Sequence, residues 1–107
     1  MKGSFEYQLT FANLVVNMRF KAVRYDGKCL EIDIDDELVR YLQKEPFEYR
    51  VCTDCCGPVI LPVELKQPKE SDYVVDLGNN KKLYISSIQA LWIRRLTMDM
   101  LRESCYI

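Results

Sequence analysis

The chain has 107 residues, 49% of them apolar and 29% charged, with a formal net charge of −1. That balance predicts one globular domain over residues 1–107, able to bury a single core, and it gives no general attraction for nucleic acid or an anionic membrane. No apolar run approaches the ~18 residues of a membrane span. The opening MKGSFEYQLTF has neither the apolar stretch nor the small-residue cleavage site of a signal peptide, so a cytoplasmic location is expected.

The first candidate strand is Phe5 to Phe11, where apolar and polar residues alternate strictly, the period of a half-buried strand. VVNMRFKAVRY continues in strand chemistry, and Asp26-Gly27 marks a turn. The returning CLEIDID places Leu30, Ile32 and Ile34 on one face, and Cys29, Glu31, Asp33 and Asp35 on the other. A loop of Asp26 to Lys28 would set Ala22 opposite Ile32 and Phe20 opposite Ile34. Lys21 would then face Asp33, and Arg19 would face Asp35.

DDELVRYLQKE predicts a short helix over 36–44, capped by Asp35 or Asp36, acidic in its first turn and ended by Lys44 and Pro46. FEYRV alternates again and runs into the cysteine-rich 52–56 turn. VILPVEL is its return strand, with Pro62 implying an edge or a bulge. After the polar KQPKESD loop, YVVDLGNNKKLYI reads as a further hairpin, its GNN tolerating positive φ. Ser86 with Gln89 has the spacing of a capping box, so a long C-terminal helix is expected over 87–103. At about 100° per residue, Ile88, Leu91, Trp92 and Leu96 would form its sheet-facing stripe. Arg95 and Asp99, four apart, would pair on it, with Met98 and Leu101 to one side.

These elements predict an α+β fold: a mostly antiparallel sheet of about six strands. Its hairpins would span 16–35, 47–65 and 72–85, with the helices 36–44 and 87–103 packed on it. Apolar residues surround more of the last helix than one sheet contact needs. It is therefore also expected to meet a protein partner, most simply a second copy of the chain.

The strongest chemical signal is VCTDCCGP. Cys52, Cys55 and Cys56 crowd one turn, and the five cysteines of the chain are an odd number in a domain that needs no staples. Clustered thiols in that setting point to a metal or to thiol chemistry before a disulfide framework. Cys52 with Cys55 or Cys56 has the spacing of half a zinc knuckle, making Cys52, Cys55 and Cys56 the candidate metal ligands and zinc the candidate cofactor. A second CxxC is absent, and so is histidine. A fourth ligand would come from Cys29, Cys105, Asp54 or a second subunit. Cys52 with Cys55 could instead form a reversible redox pair, or the cysteines could pack as small apolar residues.

Cys55-Cys56-Gly57 resembles the pair in CCG domains of heterodisulfide-reductase-type proteins, which would imply an iron–sulfur cluster, but that pattern needs a downstream CxxC. Cys56-Gly57-Pro58 resembles the thioredoxin active turn, but Val59 stands where the resolving cysteine belongs. Neither three-residue match carries a family's properties onto this chain.

The missing histidine also excludes Ser-His and Cys-His nucleophile pairs. The acidic EIDIDDE run lacks the glycine and spaced ligands of a calcium loop and suits the hairpin and helix start better. The expected function is a non-catalytic module, its cysteine turn holding zinc and stabilising a protein-association surface. The alternatives are a thiol redox protein and a homodimeric structural domain with inert cysteines.

Overall fold

A computed structural model of the chain describes residues 17–54 and 57–101. Strands β1 (Asn17–Val23) and β2 (Cys29–Asp35) form the first hairpin, followed by helix α1 (Asp36–Lys44). A second hairpin comprises β3 (Tyr49–Asp54) and β4 (Gly57–Pro62), and a third β5 (Tyr73–Gly78) and β6 (Lys81–Ile85). The last strand among the described residues is β7 (Arg95–Leu96). The expected strand over Phe5 to Phe11 lies outside the described residues.

All seven strands join one sheet in the order β4-β3-β6-β5-β1-β2-β7. The three expected hairpins are present, but the sheet is mixed rather than mostly antiparallel. The third hairpin inserts between the other two, so β6 runs parallel to β3, while β7 runs parallel to β2. Alternation within a strand states which residues face the core. It carries no information on which strand lies alongside.

The long helix expected over 87–103 does not form. Residues Gln89–Leu91 make one 3₁₀ turn, Arg95–Leu96 is strand, Thr97 is extended at φ −130° and ψ 163°, and Met98–Met100 is a second 3₁₀ turn. The sheet edge outbids helix propensity here. In β2 the N–H groups of Cys29, Glu31, Asp33 and Asp35 alternate away from β1, and Asp33 N–H donates to Arg94 O at 2.9 Å. Leu96 pairs beside Ile34 and is fully buried. The expected Arg95–Asp99 pair is likewise replaced: Arg95 donates to Asp35 at 2.9 Å, while Asp99 accepts from the Thr97 hydroxyl. Asp35 precedes α1 without donating or accepting a side-chain cap bond there.

The first hairpin is shifted by two residues from the expected register: Phe20 faces Ile32, Ala22 faces Leu30, and Arg19 faces Asp33. A shift of two keeps every side chain on its expected face. The loop is Tyr25 to Gly27, closed by Arg24 N–H to Lys28 O at 2.8 Å. This places Gly27, at φ +91°, in the third loop position where a left-handed residue is needed. In the third hairpin Asn79 and Asn80 both take positive φ, as GNN predicts.

Pro62 sits in β4, an edge strand, as expected. Val63 N–H donates to Glu48 O, and alternation from that bond turns positions 58, 60 and 62 outward. Two of those three are proline, so the edge offers few donors to another strand. The remaining position, Ile60, forms an isolated bridge with Leu101.

Residues 95–101 therefore touch both edges of the sheet, β2 through Leu96 and β4 through Leu101. The five residue steps from Leu96 to Leu101 can span at most about 18 Å, so the sheet curls until its edges approach. Its concave side holds the main core, with Ile32, Ile34, Val51, Ile60, Val75, Leu83, Ile85 and Leu96 among its residues. Helix α1 adds Leu38, Val39 and Leu42 to that core.

Candidate functional site

The cysteine turn follows from the register of β3 and β4. Val51 faces Ile60 and Tyr49 faces Pro62 on the concave side, which sends Arg50 and Cys52 to the convex side, opposite Leu61 and Val59. Cys52, Val59 and Leu61 form a second, smaller buried cluster there. Burial pushes the Cys52 thiol up from its ordinary value, against the smaller opposing influence of the Arg50 and Lys66 charges. A raised thiol is a poor nucleophile and a reluctant metal ligand.

Cys55 and Cys56 lie outside the described residues, as does Cys105. Asp54 is half-buried opposite Gly57. Cys29 is exposed on β2, and β6, β5 and β1 stand between it and Cys52. Those two sulfurs are not brought together. Among the described residues, no three Cys, Asp or Glu side chains gather as a metal site would need. The acidic run is dispersed over basic partners: Glu31 and Asp33 accept from Arg19, Asp35 from Arg95, and Asp36 from Arg40.

Beside Cys52, the convex face carries a buried ion pair. Arg50 Nε and Nη2 donate to Asp72 at 2.7 and 2.9 Å, with side chains only 7% and 1% exposed. Asp72 also accepts from Lys69 N–H at 3.2 Å. This two-pronged pairing satisfies charges that would be costly to bury singly.

The other notable feature is the turn over 86–93. Ser86 Oγ accepts from Gln89 N–H at 3.1 Å, and Ala90 N–H donates to Ser86 O at 2.9 Å. Only half of the expected capping box is made. Ser86 N–H is taken by Val51 O, and the Gln89 amide donates to Thr53 Oγ1. Arg94 Nη1 closes the far end on the carbonyls of Ala90 and Ile93 at 2.7 and 2.8 Å, a cation placed where helical carbonyls are left over.

A turn anchored at both ends faces its residues firmly. Ala90 and Ile93 go inward, while Ile88, Leu91 and Trp92 stand outward at 65%, 66% and 77% exposure. Of the stripe expected to face the sheet, only Leu96 does so. The spacing of Ile88, Leu91 and Trp92 was visible in the sequence, but its orientation depends on the anchors at Val51 and Thr53. The Arg50–Asp72 pair, joining residues far apart in the chain, left no local signal.

The described residues thus form a curled, mixed seven-stranded β-sheet with one short helix. No protein-family model, characterised protein or solved structure matches this chain. No helix among the described residues is long and apolar enough to cross a membrane.

Proposed function

We propose that this chain is a small cytoplasmic, non-catalytic association module that pairs with a second copy of itself through Ile88, Leu91 and Trp92. The observation that carries the reading is the outward placement of three large apolar side chains on one turn held by Gln89 and Arg94. A rigid, pre-formed apolar ridge lowers the ordering cost of association, and an isologous contact brings the ridge against its own copy. A net charge of −1 leaves little long-range repulsion between copies. The burial of Cys52 favours a packing role for that sulfur over a zinc ligand or redox thiol.

Trp92 is the single tryptophan, so its emission reports on the ridge directly. Light scattering should give a dimer at micromolar concentration, with Trp92 emission shifting to the blue as concentration rises. Leu91→Arg should give a monomer of unchanged thermal midpoint and concentration-independent emission. A wild-type chain that stays monomeric to about 100 μM, far above the Kd of a stable dimer, with fixed emission, overturns the reading.

A further inference from the structure

We infer that segment 63–72 is a hinged cover over the convex face of β3 and β4, latched by Arg50 and Asp72, and that it opens without unfolding the main core. The inference is independent of the ridge at 88–92.

The segment leaves β4 after Pro62 and enters β5 at Tyr73. Residues 64–70 are all exposed, and none of 63–72 belongs to either apolar cluster. Val63 N–H ties its start to Glu48 O on β3's side, and the backbone bonds beyond Val63 are local: Leu65 and Lys66 N–H to Pro62 O at one end, and Asp72 N–H to Lys69 O at the other. The strong tie across it is the Arg50–Asp72 pair. A segment with few apolar contacts and one deep anchor belongs to the part of a protein that opens by itself.

Cys52, Val59 and Leu61 lie on the same face as Arg50, opposite to Val51 and Ile60. The segment reaches that face through Asp72, paired with Arg50, and through Lys66, near enough for its charge to act on the Cys52 thiol. Because the two clusters share no side chains, uncovering the small one leaves the large one packed. The open form presents an apolar patch, a thiol and the Arg50 guanidinium on one strand pair. The closed form hides all three.

Cys52 is the built-in reporter. The full-length chain is exposed to short pulses of iodoacetamide, and alkylation of Cys52 is read residue by residue by fragment mass spectrometry. In the wild type, Cys52 should react faster than global unfolding permits, at a rate insensitive to low urea. In Asp72→Asn the rate should rise by about tenfold or more, beyond any change in global stability. The double variant Arg50→Met with Asp72→Leu replaces the pair by apolar side chains and should restore slow labelling. Wild-type labelling that occurs only at the global unfolding rate overturns the inference. So does a double variant that folds with wild-type stability yet labels as fast as Asp72→Asn.

Discussion

Cys52 illustrates how far a residue's type and spacing reach. Three thiols within five positions call for a ligand reading, yet the sulfur at 52 is turned into an apolar cluster by strand parity. The alternation of Phe47, Tyr49 and Val51 already places Cys52 on the opposite face. The unbroken apolar run Val59-Ile60-Leu61 is the one local sign that both faces of this strand pair are buried, and it does not say what buries the second. Burial predicts a substitution pattern. Cys52→Ala should lower unfolding free energy by about 1 kcal/mol, whereas Cys52→Ser, which buries a hydroxyl, should cost about 1–3 kcal/mol. Urea unfolding measures both. The metal content of protein purified without added metal should be the same for Cys52→Ala and wild type. A fall to half or less would restore Cys52 as a ligand.

Among the elements, the first hairpin and the last segment differ in what could be read from them. Two strands, their faces and a three-residue loop were legible around Asp26-Gly27. The register slipped by two because side-chain matching across the ladder is satisfied in either alignment. Only the left-handed position at Gly27 separates them. Asp26 reinforces the turn, accepting from Arg24 at 2.7 and 3.1 Å and from Lys28 N–H at 3.1 Å. The hydrogen bonds from Arg24 hold its carboxyl down at about 2, against an ordinary value of 3.8. A depressed carboxylate adds stability that is complete above its ordinary value and is lost as pH falls through the folded one. Between pH 4 and pH 2, therefore, the wild-type hairpin should lose order that Asp26→Asn lacks at any pH. Carboxyl-carbon NMR titration of Asp26 gives the midpoint directly, and a value near 3.8 would remove the argument.

At the scale of the whole molecule, the curl of the sheet is maintained by a short strap. Residues 93–101 supply β7 to one edge and Leu101 to the other, with Leu96 fully buried between them. Deleting 94–107 should strip a strand from β2, expose its outward donors and leave that edge free to pair with other chains. The expected result is a lower urea midpoint, corresponding to a loss of unfolding free energy of at least the ~2–5 kcal/mol typical of losing a buried leucine, and aggregation at concentrations where the intact chain remains dispersed. A truncated chain with an unchanged midpoint would mean that the curl does not need the strap.

The sequence alone determined the local features: three hairpins, the 36–44 helix, the two faces of the first hairpin, the edge character of Pro62 and the left-handed residues of GNN. These depend on side-chain period, capping and φ preference, which act between near neighbours. Tertiary structure alone decided the strand order, the mixed pairing, the burial of Cys52, the Arg50–Asp72 pair and the fate of 87–103. There, an apolar run with helical spacing met a sheet edge with unsatisfied N–H groups. Burying Leu96 beside Ile34 while satisfying Asp33 outweighed the weak per-residue preference for helix. That competition also turned Ile88, Leu91 and Trp92 outward.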